Sequence, residues 1–283
     1  MITSVTELAK AKINLALHIL GRRVDGYHEL DSVVAFADIG DNLTITISDA
    51  LSLSCQGKFG VDVPSDGENI ILKAWQVLNN IFTAKSLLLP KVHVVLTKNL
   101  PVASGIGGGS ADAAAMLRGL LRLTHQELTD PEVIGLAKNL GADVPVCFRE
   151  IACHMQGIGE IINPLSVELP RAIVLINPLH PCSTASVFNL LALRPGQSHL
   201  APLALASPHD WRNDMTDAAL ATQPIIAHVL AALMTEPAFT TVRMSGSGAT
   251  CFGLAPSMAQ ASASAARLSI KNPNWWVRAA TLS

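Results

Sequence analysis

Along "KINLALHIL", Lys12 to Leu20, polar and apolar residues take turns. A period of two belongs to a strand, and it sets Lys12, Asn14, Ala16 and His18 on one face and Ile13, Leu15, Leu17 and Ile19 on the other. The pattern predicts a strand buried on its aliphatic side and solvated on the side that carries the lysine and the asparagine. "GRRVDGYHEL" reads as a hairpin or wide loop bent at Asp25-Gly26, with Tyr27 and His28 just past the bend. "LTITI" and "LSLSC" predict further strands, "PSDGENIILKAWQVLNNIF" a helix, and "KVHVVLTKNLP" a return to strand.

Both periods break at "PVASGIGGGSADAAA", Pro101 to Ala115, where four glycines stand together. Glycine costs backbone entropy in a rigid element, so such a cluster marks a place where something approaches the backbone closely. Helical spacing resumes with Ala113, Met116, Leu117, Leu120 and Leu121, which makes Ser110 the expected N-cap and puts Asp112 in the first turn. A second helix is expected from a cap at Asp130, with Pro131 first inside it, an apolar face of Val133, Ile134, Ala137 and Leu140, and Gly141 at its end. In "ADVPVCF" the proline biases Val144 toward extended backbone, so Asp143 is expected on a short loop leading into a strand. Beyond "IACHMQGIGEIINPL" the chain reads as a second unit. "AIVLINP" is a buried strand, "PIIAHVLAALM" a helix, and "RMSGSGATCFGL" a second glycine turn entering a strand. The boundary is placed near residues 155–165, giving domains of 1–160 and 161–283.

At 283 residues, nearly half hydrophobic and 15% charged, the chain is large enough for a substantial core and too apolar for disorder. A formal charge of −2 excludes the basic surplus that nucleic-acid binding draws on, yet leaves room for a small anionic ligand held by one or two local cations. The five cysteines are dispersed and form no C-x-x-C pair, so neither a zinc site nor a disulfide framework is indicated. The first twenty residues lack a basic start followed by an apolar run and a cleavage site. With no span fit for a membrane, a cytoplasmic, soluble protein is expected.

The glycine stretch fits neither familiar phosphate motif. No Gly-Lys pair completes a P-loop, and G-x-G-x-x-G fails at Ser110 when counted from Gly105 and at Cys251 when counted from Gly246. Consecutive amides free of side chains ahead of a helix nonetheless form an anion site, since orphan N–H groups and the helix dipole both favour negative charge. Ser110 adds a hydroxyl for a phosphate oxygen or a metal ion.

"PVASGIGGGSADAA" resembles the central motif of the GHMP kinase superfamily, which wraps the phosphates of ATP without a P-loop lysine. "AKINLALHILGRRVDGYHEL", "GADVPVCF" and "MSGSGATCFGL" are similar, in order and spacing, to one branch of that family, which phosphorylates the 2-hydroxyl of a diphosphocytidyl polyol on the non-mevalonate route to isoprenoids. The resemblance spans almost the whole chain. It implies an α+β fold with an N-terminal domain like the second domain of ribosomal protein S5 and a ferredoxin-like C-terminal domain. It also implies ATP as co-substrate with Mg²⁺, and action as a monomer or homodimer.

Residue by residue, the resemblance makes Asp143 the general base and Lys12 its electrostatic partner. It gives ATP the stretch Pro101, Val102, Ala103, Ser104, Gly105, Ile106, Gly107, Gly108, Gly109, Ser110 and Ala111, with Asn69 near the adenine and Lys98 just ahead of the motif. Ser110 is the implied metal ligand. Asn14 faces the acceptor; Tyr27 and His28 stand around its cytosine, with Phe188 on the opposite side, though Phe188 also suits a core position. Ser245, Gly246 and Gly248 form the second glycine turn toward the substrate. Two positions depart from the common form of the loop: Ala111 replaces a second serine, and Asp112 replaces an asparagine. A carboxylate there would repel phosphates unless Mg²⁺ lies between or the side chain points away. Kinases of the same superfamily that act on homoserine, mevalonate or a sugar, and a nucleotide-binding regulator without catalysis, are the rival readings.

Overall fold

The structure, a computed structural model, describes residues 2–165, 167–198, 202–205 and 207–283, without the side chains of residues 137 and 138. Packing gathers them into two units, neither of which is one stretch of chain. The first holds the chain up to Ala11, Ile39–Val102 and Gly107–Glu150; the second holds Lys12–Asp38, Ala103–Ile106 and Ile151–Ser283. Two long strands, β1 (Ser4–Arg22) and β2 (His28–Ile47), each run through both.

In the first unit a short strand β3 (Ser52–Gln56) leads to helix α1 (Ile70–Ala84) and strand β4 (Val92–Thr97). The end of β2 pairs antiparallel with β4, Leu43 opposite Leu96 and Ile45 opposite Val94, and β3 joins β4 in parallel. These four side chains alternate onto one face and are fully buried. Helix α2 (Gly108–Thr124) packs on α1 and on α4 (Val144–Arg149), and α3 (Asp130–Leu140) packs on α4 and α1. A Cβ on Gly119 would come within 2.4 Å of Ile45 Cδ1, so glycine lets α2 approach the sheet closely at that point.

Several expectations are corrected in this unit. The N-cap of α2 is Gly107, at φ +64°, and Ser110 lies inside the first turn. The left-handed conformation at 107 favours glycine over serine, so the helix starts three residues earlier than a side-chain cap suggested. Helix α3 opens after Thr129, whose backbone N–H and hydroxyl both bond Glu132 Oε2, at 2.8 and 2.9 Å. This pairing between the residue ahead of the helix and the third residue on supersedes a cap at Asp130. Its buried face is Val133, Leu136 and Leu140, with Ile134 exposed; Ala137 lies outside the described side chains. The expected strand after Asp143 is helix α4. Pro145 occupies its first turn, where a missing N–H costs nothing, and Val144 N–H bonds Gly141 O at 3.1 Å.

In the second unit β1 reaches the Asp25-Gly26 bend, closed by Arg23 N–H to Tyr27 O at 2.7 Å, as the hairpin pattern predicts. The start of β2 pairs with β5 (Cys153–Gly157), and β6 (Ile161–Pro164) pairs with β5. Then follow β7 (Ala172–Asn177), α5 (Thr184–Leu190), α6 (Thr216–Thr222), α7 (Ile225–Met234), β8 (Thr241–Met244), β9 (Cys251–Ala255), α8 (Met258–Lys271) and β10 (Trp276–Thr281). Their antiparallel sheet runs β10-β7-β9-β8. With helices between β7 and β8 and between β9 and β10, that is the β-α-β-β-α-β order of a ferredoxin-like sheet. Val174, Ile176, Val229, Leu233, Leu268 and Val277 fill its core.

The strand from Lys12 is buried on both faces, not one: Lys12, Asn14 and His18 are as hidden as the leucines beside them. Arg212 N–H donates to His18 Nε2 at 3.4 Å and Asn14 Nδ2 donates to Ser32 Oγ at 2.9 Å, so protein meets what reads as a solvent face. Among the described residues no helix is long and apolar enough to cross a membrane.

Candidate functional site

The glycine stretch serves two purposes, and Gly105 shows the first. At φ +74°, a Cβ there would sit 2.6 Å from the carbonyl oxygens of both Ser245 and Gly248. A Cβ on Gly246 would in turn meet Gly105 O at 2.6 Å. The two glycine turns are pressed backbone to backbone, pinned by Ser245 Oγ donating to Gly105 O at 3.0 Å and by Thr250 N–H to Ser104 O at 3.1 Å. Gly105, Gly246 and Gly248 are therefore required by the protein's own packing.

The second purpose lies at Gly107 to Ser110. Gly107 has no side chain with which to cap α2, and a Cβ on Gly109 would meet only Ile70 Cγ2, at 3.9 Å. The first-turn amides of a helix have no partner four residues back, so this exposed start of α2 presents donors and the positive dipole end to an anion. The Ser110 hydroxyl stands half-buried in the same turn, and Ala111 is buried. Pro101 and Ile106 are buried while Val102 and Ala103 are exposed, the latter at φ +50°.

Beneath this turn is a cluster of charges. Lys98 Nζ lies 2.6 Å from Asp41 Oδ2 and 2.6 Å from Asp112 Oδ2, and all three side chains are buried. Asp41 Oδ1 also accepts from Asn99 and Leu100 N–H, at 2.6 and 2.8 Å. Burial opposes the Lys98 ammonium, but Asp112 and Asp41 more than offset it and hold its pKa above the usual lysine value. Burial likewise pushes the Asp112 carboxyl up to about 8, against the pull of Lys98 and helped by Asp41. The carboxyl at 112 thus points away from the exposed start of α2 and into the protein. Asp112 Oδ1 has no hydrogen-bond partner among the described residues. The sequence reading missed Asp41; its one signal is an acid inside the strand run "ADIGDNLTI".

Asn69 caps α1, its Oδ1 accepting from Ile71 N–H at 2.8 Å and its Nδ2 donating to Pro64 O at 2.5 Å. Those bonds hold the amide in place at the helix start. Asp143 directly precedes α4 in the first unit. α4 is fastened to α2 by Arg118, which donates to Cys147 O at 2.8 Å and pairs with Glu150 at 2.8 Å.

In the second unit Lys12 and Asn14, two residues apart on β1, face the same way. Lys12 Nζ bonds Asn14 Oδ1 at 3.0 Å, and Asn14 Nδ2 bonds Ser32 Oγ at 2.9 Å. Asn14 N–H bonds Ser245 Oγ at 3.1 Å, and Lys12 N–H bonds Ile106 O at 3.0 Å, so both glycine turns are anchored to this strand. Tyr27 is exposed in the hairpin. His28 and Phe188 are in ring contact, centroids 4.6 Å apart at 33°. That contact leaves no room for a flat ring between the two, and Phe188 also packs on the core. Burial, then the Arg22 charge, lowers the His28 pKa, and its Nε2 has no partner among the described residues.

No group of three or more His, Cys, Asp or Glu side chains among the described residues stands close enough to hold a metal. The Ser110 hydroxyl in the first turn of α2 is an oxygen donor of the kind a hard cation takes.

Comparison with known proteins places this geometry. Residues 69–150 match the GHMP kinases N terminal domain. A 4-diphosphocytidyl-2-C-methyl-D-erythritol kinase from a Bradyrhizobium species (strain BTAi1) is 45% identical, covering 98% of this chain and 96% of its own. The crystal structure of a 4-(cytidine 5'-diphospho)-2C-methyl-D-erythritol kinase superposes with a TM-score of 0.79 at 29% identity, covering 99% of each chain. A homoserine kinase from Cytophaga hutchinsonii shares the fold, with a TM-score of 0.67 at 16% identity over 100% of this chain and 95% of that one. The fold is that of the GHMP kinases, and the chain belongs to the family of 4-diphosphocytidyl-2-C-methyl-D-erythritol kinases.

Proposed function

We propose that the protein transfers the γ-phosphoryl group of ATP to the 2-hydroxyl of 4-diphosphocytidyl-2-C-methyl-D-erythritol, in the cytoplasm, as a step of the non-mevalonate supply of isoprenoid precursors. The observation that carries this reading is the near-full-length kinship, supported by the resemblance of the stretches around Lys12-Asn14, Tyr27-His28 and the start of α2 to the family's motifs. It applies to the protein as monomer or homodimer, with family domains 1–160 and 161–283.

In this reading the α2 amides from Gly107 to Ser110 receive the triphosphate, with the stretch from Pro101 to Ala111, Asn69 and Lys98 framing the nucleotide. The Ser110 hydroxyl would help hold Mg²⁺ arriving with the nucleotide, and that ion would supply neutralisation of charge on the transferred group. Asp143 accepts the proton of the acceptor hydroxyl as its oxygen attacks the γ-phosphorus in line and ADP leaves. Lys12 steadies the charge that develops on the phosphoryl oxygens. Tyr27 stacks on the cytosine, with the His28–Phe188 pair beside it and Asn14 and the Ser245–Gly248 turn bordering the acceptor.

An ADP-release assay across acceptors tests the assignment. Turnover with the diphosphocytidyl alcohol, and none with homoserine, mevalonate or a sugar, is the expected result. Preference for one of the latter refutes it, and ATP binding without ADP release from any acceptor makes the protein a nucleotide-binding regulator.

A further inference from the structure

Asp41 on β2, Lys98 just past the end of β4 and Asp112 on α2 meet where the glycine loop begins and ends. Asp41 on β2 holds the approach to the loop through Asn99 and Leu100 N–H. Asp112 lies on α2, at the exit. The Lys98 ammonium reaches both at 2.6 Å. It also sits directly under the helix start: a Cβ on Gly108 would lie 3.3 Å from Nζ and 4.0 Å from Asp41 Oδ2, so glycine at 108 leaves space for the ammonium. A buried ion cluster of this kind is a poor source of net stability, because desolvation cancels much of the attraction; fixing one geometry is its better use.

We propose that Lys98, with Asp41 and Asp112, is a positioning clamp that ties both ends of the glycine loop to the sheet and holds the α2 amides in the arrangement that receives phosphate. The inference rests on the reading of this turn as the ATP cradle. Lys98 therefore acts by its side chain through the loop, without touching the nucleotide with its ammonium.

The test compares the full-length protein with Lys98→Met/Asp112→Val, which removes both bonds of the ammonium and leaves Asp41 those from Asn99 and Leu100 N–H, and with Asp112→Asn, which keeps a bond to Lys98. Hydrogen–deuterium exchange of amides 111–115, the first in α2 with a partner four residues back, is followed without nucleotide, at temperatures set equally far below each variant's own Tm. The clamp predicts exchange about tenfold faster in the double variant and close to wild type in Asp112→Asn. Unchanged protection of 111–115 in the double variant, or faster exchange spread evenly over α1 to α4, overturns it. The KM for ATP is measured in parallel, with a rise of about tenfold and little change in kcat expected. A loosened loop with an unaltered KM for ATP leaves the clamp standing and removes the cradle reading instead.

Discussion

Replacing Gly105 with alanine separates the two purposes of the glycine stretch. At φ +74° a side chain costs roughly 1–2 kcal/mol. The new Cβ would also lie 2.6 Å from two carbonyl oxygens and 2.8 Å from Gly248 N, all backbone, which cannot rotate away. Forcing such groups apart costs roughly 1–3 kcal/mol more. A loss of about 2–5 kcal/mol follows, which at an m-value of about 2 kcal/mol/M moves the urea midpoint by roughly 1–2.5 M. Trp211, Trp275 and Trp276 all lie in the second unit with Gly105, so their fluorescence reports its unfolding. Gly109→Ala is the counterpart. Its Cβ has 3.9 Å to its nearest neighbour, so it is expected to leave stability unchanged or raise it by about 0.5–1 kcal/mol, while its methyl raises the KM for ATP at the exposed amides. Gly105→Ala within about 0.5 kcal/mol of wild type would refute the claim that backbone packing fixes that glycine.

Asp143→Asn should lower kcat by about 10²–10⁴-fold with little change in ATP affinity, and equal turnover removes the aspartate from the base role. Tyr27→Ala should weaken the cytidylyl acceptor by roughly 2- to 12-fold and leave ATP unaffected; the opposite order undoes the stacking assignment. His28 is held below its usual pKa by burial and then by Arg22, so it stays neutral as the pH falls past 6.5 while an unfolded chain already binds the proton. Acceptor KM is thus expected to stay flat from pH 8 to about 6.5 and to rise only below, and a break above 6.5 contradicts this. Glu236 is lowered by its bond from Arg267, against its own burial and with help from Ser264. Its stabilisation is complete above the usual glutamate range and lost on acidification, so Glu236→Gln should flatten the acid limb of a Tm-versus-pH curve, and an unchanged limb speaks against it.

The hairpin, the strands around it, the helices after the glycine stretch and the buried β7 were legible because their side chains alternate or recur with a clear period. β1 was misread on one point for the same reason. Periodicity assigns Lys12, Asn14 and His18 to one face but does not say whether that face meets water or protein, and polar residues default to water. α4 was misread because the rule for the residue ahead of proline competes with proline's fitness for a helix's first turn, and local sequence does not decide between them. α5, α6, α8 and β10 went unassigned. α8, "MAQASASAARLSIK", is rich in small residues whose burial is set by the sheet it covers, so its own pattern is faint.

Of the candidate site, the residue types were readable and their partners were not. The carboxyl at 112 looked like a hazard beside phosphate because sequence gives its position along the helix, at the end of the first turn, without the side it faces. Lys98 and Asp41 lie fourteen and seventy-one residues before it, and only folding shows that they take its charge. The glycines present the reverse case. A run of them suggests one cause, close approach of a ligand, whereas Gly105 answers to the Ser245–Gly248 turn, Gly108 to Lys98, and Gly109 to nothing tighter than an ordinary contact with Ile70 at 3.9 Å. A motif of this density is therefore a sum of separate steric demands, and substitution at each glycine reads out a different neighbour.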